Sequence, residues 1–163
     1  MIRPAEPHDA SAIRAVHRAA FPTSAEADLV GRLGRDAVVS LVADRGGEVA
    51  GHLVLSRMQV SGDGRSYRAV ALGPVGVLPE YQRAGMGSEL IEGALAIAGA
   101  TGEELVFVLG EPEYYARFGF DAETAAPFVS PYAGPFLMAL KLRETVALPK
   151  SGTARYAEAF GAL

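Results

Sequence analysis

Strand-like runs in the middle of the chain are joined by two kinds of connection, and this pattern restricts the possible folds. The runs 37–44 and 47–60 are apolar and flank "DRGGE", where Gly46 and Gly47 permit a tight hairpin turn. A third run, at about 67–77, follows the turn "SGDGRS". Because short turns join antiparallel neighbours, we expect these three strands to form a meander.

A longer connection follows the third strand and predicts a change to parallel pairing. Apolar residues recur at helical spacing over 90–97, and the next strand-like run is 104–110, "ELVFVLG". Since parallel neighbours require such a crossover, the strands 67–77 and 104–110 should be parallel. Gly73 and Pro74 lie inside the first of them, and because proline cannot donate a ladder hydrogen bond, we expect a bulge or a break in pairing there.

The ends of the chain complete a single predicted domain. Apolar residues recur at helical spacing after Asp9 and again after Ser24, and these two residues are candidate N-caps. The run 134–143 is predicted as the last strand. We therefore expect one domain over residues 1–145, with residues 146–163 as an extension that packs on the same domain.

The composition narrows the classes of function. Of the 163 residues, 50% are hydrophobic and 21% are charged, as expected for a globular domain. The net charge of −4 disfavours nucleic-acid binding, and the absence of cysteine excludes disulfides, thiolate metal sites and a cysteine nucleophile. No signal peptide, membrane-spanning run or metal-ligand spacing is recognised. We expect a cytoplasmic protein without nucleic-acid, membrane or metal partners.

The stretch "QRAGMG" (82–87) lies between the third strand and the predicted helix, where glycines commonly let a backbone approach a phosphate. A P-loop needs lysine directly after the last glycine, but Ser88 follows Gly87, so that interpretation fails. A dinucleotide-binding fingerprint needs a third glycine where Leu90 stands, and its doubly wound sheet conflicts with the predicted meander.

A third interpretation of this loop requires backbone groups only. The consecutive N–H groups from Arg83 to Ser88, at the start of a helix, can form an anion-binding nest with the helix dipole behind it. The glycines at 85 and 87 lack the Cβ atoms that would hold a pyrophosphate away, and Arg83 adds a positive charge. From this loop alone, an anion site and a plain tight turn both stay open.

A second motif follows the next strand. The patterns "V-x-P-x-Y-Q-R-x-G-x-G" (77–87) and "Y-Y-x-R-F-G-F" (114–120) together resemble the two core motifs of the GNAT family of acyl-CoA N-acyltransferases. The phrase "LGEPEYYARFGF" further resembles the YhbS-like subgroup of that family. The resemblance covers most of the chain, because the predicted helices and strands follow the order found in the family.

The resemblance implies the fold class α/β (α+β). The expected structure is a single-domain GNAT fold with a mixed, mostly antiparallel sheet, whose two central parallel strands splay apart, flanked by helices. Acetyl-CoA is the implied co-substrate, bound between the splayed strands without a metal. Main-chain groups of Val75 and Val77 would bind the pantetheine, and a loop would wrap the pyrophosphate. The residues of that loop are Gln82, Arg83, Ala84, Gly85, Met86, Gly87 and Ser88.

The implied reaction is attack by a neutral primary amine on the thioester carbonyl in a ternary complex, without an acyl-enzyme. A main-chain N–H near Val77 would stabilise the charge on the carbonyl oxygen, and Tyr115 occupies the tyrosine acid position of the family. A model tyrosine has a pKa of about 10 and a thiol one of about 8.5, so we expect Tyr115 to donate a hydrogen bond to the developing thiolate. The alternative for this ring is core packing.

The general base is less well specified, because the strand before the loop carries no carboxylate. The candidates are Glu26 on the second helix, Glu111 at the end of the parallel strand, His52 on the meander, and a water relay. Acidic residues over 111–123 favour a cationic acceptor, which we expect to be a small-molecule or peptide amine.

Three functions therefore compete. The first is an acetyl-CoA-dependent N-acetyltransferase, which Tyr115 favours; the homodimeric state common in the family stays open for this chain. The second is a non-catalytic acyl-CoA-binding or sensing GNAT module, which the missing strand carboxylate favours. The third is a dinucleotide-binding oxidoreductase fragment, which Leu90 and the meander disfavour.

Overall fold

Ten strands and five helices form the part of the chain that the computed structural model describes, residues 1–162. In chain order, the strands are β1 (Ile2–Pro4), β2 (Ala37–Arg45), β3 (Glu48–Arg57), β4 (Gln59–Gly62), β5 (Arg65–Tyr67), β6 (Ala69–Val77), β7 (Leu105–Leu109), β8 (Phe128–Val129), β9 (Leu137–Lys141) and β10 (Gly152–Arg155). The helices are α1 (Ala10–Ala20), α2 (Ala25–Leu33), α3 (Met86–Ala100), α4 (Pro112–Ala116) and α5 (Ala122–Ala125). None of these helices is both long enough and apolar enough to cross a membrane.

The first sheet has six strands in the order β1-β2-β3-β6-β7-β9. Strands β2, β3 and β6 are antiparallel neighbours, and β2 and β3 are joined by the turn at Gly46 and Gly47, so the predicted antiparallel order is confirmed. The turn "SGDGRS", however, joins β4 to β5 and not the second strand of this sheet to the third. Strands β6 and β7 are parallel, with α3 as their connection. The predicted mixed, mostly antiparallel sheet with a central parallel pair is therefore confirmed.

The parallel pair β6–β7 separates part-way along β6. Pairing with β7 ends at Leu72 and Val108, whereas β6 continues to Val77 against β3. The pairing register between β6 and β3 shifts at the same place, between Leu53 and Leu55 of β3. The predicted interruption at Gly73 and Pro74 is thus confirmed, and it leaves one edge of β6 without a partner strand over the rest of its length.

The second sheet has four strands in the order β5-β4-β10-β8, and it corrects three strand predictions. The run 47–60 breaks at Met58 into β3 and β4, and Tyr67 belongs to β5 rather than to β6. The predicted last strand, now β9, is followed by β10 within residues 146–163. Strands β4 and β10 pair with each other across about ninety residues of chain, so the apolar pattern carries no sign of the change of sheet. Tyr67 leaves β6 for a different reason, because the local turn between β4 and β5 pairs it with Val60.

The apolar stripe of α3 packs against one face of the first sheet. Leu90, Ile91 and Ala94 are fully buried there among residues of β2, β3 and β6. A second cluster, around Phe107 and Phe128, joins the two sheets. Burial of one leucine or isoleucine side chain stabilises a fold by about 1.5–3 kcal/mol. The packing of α3 therefore fixes the position of the loop that precedes it.

An ion-pair network holds β6 and β7 together at the end opposite to their separation. Glu103 is 1% exposed and accepts hydrogen bonds from Arg57 at 2.7 and 2.8 Å and from Arg68 at 2.8 Å. Burial raises the pKa of Glu103, but its bonds to the two arginines outweigh burial and leave that pKa below its usual value. Glu103 is therefore charged, and it secures the turn between α3 and β7.

Two buried imidazoles connect α1 with β3. The Nε2 atom of His17 lies 2.8 Å from Nδ1 of His52, and Nε2 of His52 lies 2.8 Å from the hydroxyl oxygen of Ser40. Both imidazoles are fully buried. Burial lowers the pKa of His17 to about 4, and burial together with the neighbouring His17 lowers the pKa of His52 to about 3. Both side chains are therefore neutral at neutral pH.

The free energy of unfolding should fall as the pH decreases through about 6.5, where histidine in an unfolded chain gains its proton. The folded protein protonates His17 and His52 only near pH 4 and pH 3, so below 6.5 the unfolded state binds more protons. Each imidazole then contributes a slope of up to about 1.4 kcal/mol per pH unit. Urea unfolding at about pH 7.5 and about pH 5.5, on either side of the histidine pKa, measures this loss.

The variant His52→Gln should lose less stability than the wild type over this interval, because one of the two buried imidazoles is gone. The control is His8→Gln, since His8 is exposed; this variant should lose as much as the wild type. Equal losses in His52→Gln and the wild type would contradict the assignment of neutral, buried imidazoles.

Candidate functional site

The loop before α3 has the backbone geometry of an anion-binding nest. Arg83 and Gly85 both have left-handed backbone angles, with φ of 65° and 87°; glycine adopts such angles without steric cost. Arg83 and Ala84 are exposed. Within the described residues, none of the N–H groups from Arg83 to Ser88 donates a hydrogen bond, as expected for an uncapped first turn. These N–H groups, together with the helix dipole, can receive an anion.

Side chains of the loop tie it to the strand before it and to the helix after it. The amide nitrogen of Gln82 donates to the carbonyl oxygen of Val77 at 2.9 Å, which holds the loop against the end of β6. The side chain of Met86 is buried in the core, so only the backbone of this residue is available to a ligand. The hydroxyl oxygens of Ser88 and Tyr114 lie 3.2 Å apart, which connects the start of α3 to α4.

The free edge of β6 presents main-chain groups beside this loop. The N–H of Leu78 donates to the carbonyl of Ala50 at 2.8 Å, just beyond the pair formed by Val77 and Gly51. Hydrogen-bonded pairs alternate with non-bonded pairs along an antiparallel ladder. The N–H and C=O groups of Val75 and Val77 therefore point away from β3, into the gap that β7 leaves. A ligand with amide groups can pair with them as a strand would.

Helix α4 contributes one tyrosine to the loop and another to a neighbouring cavity. The hydroxyl of Tyr114 lies 3.5 Å from the position of a Cβ built on Gly87. The ring of Tyr115 packs directly on Gly110, where a Cβ would approach it to 2.5 Å, so only glycine fits there. Edge-on contacts with Tyr114 and Phe120, at centroid distances of 5.0 and 5.9 Å, also hold the Tyr115 ring.

A cavity of about 330 Å³ opens where β6 and β7 separate. It is lined by parts of β6, the end of β7, α2, α4 and the chain after β10. Tyr115 and Glu26 both line it, so the structure brings together the predicted tyrosine and one of the three predicted side-chain bases. The Oε1 atom of Glu26 is buried and has no hydrogen-bond partner among the described residues. A carboxylate in this state requires a cationic or hydrogen-bonding partner.

The environment of Tyr115 keeps its phenol protonated. Burial, with a smaller contribution from Tyr114, raises the pKa of Tyr115 to about 12. In the described part of the chain, the tyrosine hydroxyls that form hydrogen bonds are those of Tyr67, Tyr81 and Tyr114. The hydroxyl of Tyr115 is therefore a proton-bearing donor that a ligand in the cavity can use.

The other two predicted base candidates lie elsewhere. Glu111 is exposed before the first residue of α4, where its carbonyl accepts the N–H of Tyr115 at 3.1 Å, and its side chain does not line the cavity. His52 is buried, and both of its ring nitrogens are engaged by His17 and Ser40. It offers no free nitrogen to a substrate.

The acidic residues predicted around the cleft are not cavity residues. Asp121 accepts the N–H of Thr124 at 2.7 Å and so caps α5, and Glu113 is exposed on α4. Among the residues that the structure describes, Glu26 is the one acidic residue that lines the cavity. The negative charge near Tyr115 therefore comes from α2.

Four aromatic residues of the cavity were missed from the sequence: Phe21 and a group of three, Tyr132, Tyr156 and Phe160. The ring of Tyr156 makes edge-on contacts with both of the others, at centroid distances of 5.1 and 4.9 Å. Its hydroxyl is buried and has no partner within the described residues, and burial raises its pKa. The only sequence signal was the four-residue spacing of Tyr156 and Phe160, which is compatible with one helical turn but not specific to a site.

The sequence of this chain matches a known family. A family model described as an acetyltransferase (GNAT) domain matches residues 1–122. The chain is also 40% identical over 117 residues to the uncharacterized N-acetyltransferase YjhQ of Escherichia coli strain K12. That alignment covers 69% of this chain and 65% of YjhQ, so the chain spans just under two thirds of the length of this relative.

Two solved structures share the whole architecture. The Escherichia coli GNAT family N-acetyltransferase YhbS, in complex with CoA, has a TM-score of 0.85 and 29% identity, covering 99% of this chain and 91% of YhbS. A GNAT family acetyltransferase from Brucella melitensis, in complex with acetyl-CoA, has a TM-score of 0.79 and 30% identity, covering 98% and 97%. With the separated strands and the glycine loop described above, the chain belongs to the GNAT family of acetyltransferases, in its YhbS-like group.

Proposed function

We propose that this chain is an N-acetyltransferase that moves the acetyl group of acetyl-CoA to a primary amine by direct attack in a ternary complex. The observation that carries the proposal is the gap beside β6. Unpaired main-chain groups line it, the free N–H groups of 83–88 lie near one end, and Tyr115 and Glu26 share the cavity where the strands separate. The YhbS structure contains CoA and the Brucella structure contains acetyl-CoA, and both support the proposal that the gap binds this co-substrate.

The groups that the chain offers match the parts of acetyl-CoA. The N–H groups from Arg83 to Ser88, with the guanidinium of Arg83, would hold the pyrophosphate. Main-chain groups of Val75 and Val77 would pair with the pantetheine amides. Since the carbonyl of Val77 already accepts from Gln82, Val77 would contribute its N–H. Bound in this way, acetyl-CoA supplies an activated carbonyl carbon.

We assign Glu26 as the general base that takes a proton from the ammonium group of the acceptor. Glu26 lines the same cavity as Tyr115, and its Oε1 atom has no hydrogen-bond partner among the described residues. The carboxylate would pair with the incoming ammonium and then take its proton, directly or through one water. The neutral amine attacks the carbonyl carbon, a C–N bond replaces the C–S bond, and the electron pair of the broken bond leaves on sulfur. The attacking nitrogen then loses its second proton to the departing thiolate, so that CoA leaves as the thiol. Glu111, exposed outside the cavity, is the alternative base.

Two donors would stabilise the charge that develops during this attack. The free N–H of Val75, near Val77 and in the cavity lining with Tyr115, is assigned to the carbonyl oxygen, a role that typically contributes about a hundred- to a thousandfold in rate. Tyr115 is assigned as the hydrogen-bond donor to the sulfur atom of CoA. Because its pKa is about 12 and that of a free thiol is about 8.5, Tyr115 would donate a hydrogen bond to the thiolate while keeping its proton.

A non-catalytic acyl-CoA-binding or sensing module is the alternative function. Such a module would need the glycine loop but neither a free phenol nor a free carboxylate beside the gap. The presence of both Tyr115 and Glu26 in one cavity favours catalysis. Binding of acetyl-CoA without release of CoA in the presence of any amine would favour the sensing module instead.

Acetyl-CoA should stabilise the folded protein. At a concentration about one hundred times its dissociation constant, the expected gain in the free energy of unfolding is about 2.7 kcal/mol, which is visible as a higher melting temperature. NAD is the control, and it should give no shift, because Leu90 stands where the dinucleotide fingerprint needs glycine. A shift with NAD and none with acetyl-CoA would refute the proposal.

The variant Gly85→Val should weaken the binding of acetyl-CoA by about tenfold or more, the loss expected when charge-assisted hydrogen bonds to the nest are displaced. Gly85 has φ of 87°, which valine disfavours, and the new side chain would occupy the nest. The matched control is Gly64→Val, since Gly64 has φ of 77° in the turn between β4 and β5. Calorimetric titration should show wild-type affinity for Gly64→Val; wild-type affinity in Gly85→Val would disprove the loop assignment.

The variant Tyr115→Phe should lower the turnover number at least about tenfold, the typical effect of removing one transition-state donor, while the affinity for acetyl-CoA stays nearly unchanged. Turnover is measured as CoA release with the best amine of a screened set. The control is Tyr67→Phe, which removes a buried hydroxyl that bonds to the carbonyl of Ala147 in the second cluster. A wild-type turnover number in Tyr115→Phe would mean that Tyr115 contributes only to the packing of the core.

A further inference from the structure

We infer that the cavity selects a compact monoamine, that is, a single ammonium on a small apolar or aromatic body. This acceptor class presupposes the acetyl transfer proposed above and specifies its second substrate. Glu26 would hold the ammonium, and a wall of aromatic side chains would hold the body. The charge, the lining and the size of the cavity each point to this class.

The charge of the cavity matches one ammonium. The Oε1 atom of Glu26 is buried without a partner, and Glu26 is the one acidic residue among the described lining residues. The side chain of Glu26 is half-buried, and a charge that is partly removed from water is stabilised by an opposite charge, so a single cation would complete this site. Among the described lining residues there is no second acidic side chain, so a second ammonium inside the cavity would have no acidic partner there. Polyamines and aminoglycosides, which carry several ammonium groups, are poor fits.

The walls of the cavity are aromatic. Tyr115, Tyr132 and Tyr156 line it together with Phe21 and Phe160. Aromatic faces attract an ammonium by cation–π interaction, and aromatic edges and faces pack favourably against an apolar body. The contacts of Tyr156 with Tyr132 and Phe160, at 5.1 and 4.9 Å, hold these rings in fixed orientations before a ligand arrives. The buried hydroxyl of Tyr156 adds one unpaired polar group.

The size of the cavity limits the acceptor. Its volume is about 330 Å³, near the lower end of the range for small-molecule pockets, which starts at roughly 300 Å³. The cavity also borders the gap beside β6, so the acetyl end of the proposed co-substrate would take part of this space. An acceptor with a bulky polar body would have to leave most of that body outside the aromatic walls. A small body inside them buries the most apolar surface.

Three of the five aromatic residues come from a part of the chain that the family model does not match. The model ends at residue 122, whereas Tyr132, Tyr156 and Phe160 lie beyond it. The segment after β10 packs on α2, with Phe160 against the cluster of Leu29 and Leu33. This segment therefore brings its rings into the same cavity as Glu26, and we assign it a role in acceptor specificity that is separate from binding of the co-substrate.

The first test compares three acceptors with wild-type protein and saturating acetyl-CoA. The probes are phenethylamine, spermidine and trialanine, which represent an aromatic monoamine, a polyamine and a peptide N-terminus. CoA release should give a kcat/KM for phenethylamine at least about tenfold above that for the other two, the discrimination expected when a competitor leaves a charge or amide unpaired. A preference for spermidine or trialanine would overturn the inference while leaving the acetyl transfer in place.

The second test compares three carboxylate variants. Glu26→Gln should raise the KM for phenethylamine by about tenfold or more, as expected for the loss of one charge-assisted hydrogen bond. Acetyl-CoA should still raise the melting temperature of Glu26→Gln, which shows that the variant is folded. The matched control is Glu158→Gln, because Glu158 is exposed in the same C-terminal segment as Phe160 and lies outside the cavity; its KM should equal that of the wild type. A larger KM in Glu111→Gln than in Glu26→Gln would overturn the assignment.

Failure of the acetyl transfer can be distinguished from failure of the acceptor class. If no probe releases CoA, titration of phenethylamine into the protein saturated with CoA decides the question without turnover. Binding that Glu26→Gln and Phe160→Ala weaken, and Glu158→Gln does not, supports the monoamine site and rejects only the reaction. No binding of phenethylamine, or equal binding in Glu26→Gln and the wild type, overturns the monoamine site.

Discussion

The separation of β6 from β7 beyond Leu72 and Val108 is the constraint on which the candidate site depends. Inside a sheet, each backbone group that is buried without a partner costs about 1–3 kcal/mol, so an open edge persists only if the strand is held by other contacts. The ladder with β3 secures β6 on its other side, and the ion pairs of Glu103 close the far end of the parallel pair. The gap is thus a built feature, and its unpaired main-chain groups are available to an amide-bearing ligand.

Helix α4 explains why the two sequence motifs occur together. Tyr114 and Tyr115 are adjacent, yet the first contacts Ser88 at the start of α3 and the second lines the cavity. Gly110 allows this arrangement, because the ring of Tyr115 lies where a side chain would otherwise be. The glycine loop and the tyrosine are therefore positioned by one short helix. A shift of α4 would disturb both ends of the gap at once.

The sequence predicted those features whose signal is local. The turn at Gly46 and Gly47, the crossover through α3 and the interruption at Gly73 are each encoded within a few residues, and each is confirmed. The division of the run 47–60 between two sheets was missed, because it depends on pairing with β10, about ninety residues away in the chain.

For the site, sequence could propose Glu26, Glu111 and His52 as bases but could not rank them. Only burial, hydrogen bonding and the cavity lining separate the three. Of the five aromatic residues that line the cavity with Glu26 in the described part of the chain, Tyr115 alone lies in a recognised motif. This difference has a physical cause. A loop that binds a constant ligand through N–H groups needs glycines at fixed positions and so leaves a motif, whereas a pocket for an acceptor is built from side chains brought together by tertiary packing. The acceptor pocket proposed above therefore predicts that relatives which keep the loop differ in their amines partly through the chain beyond residue 122.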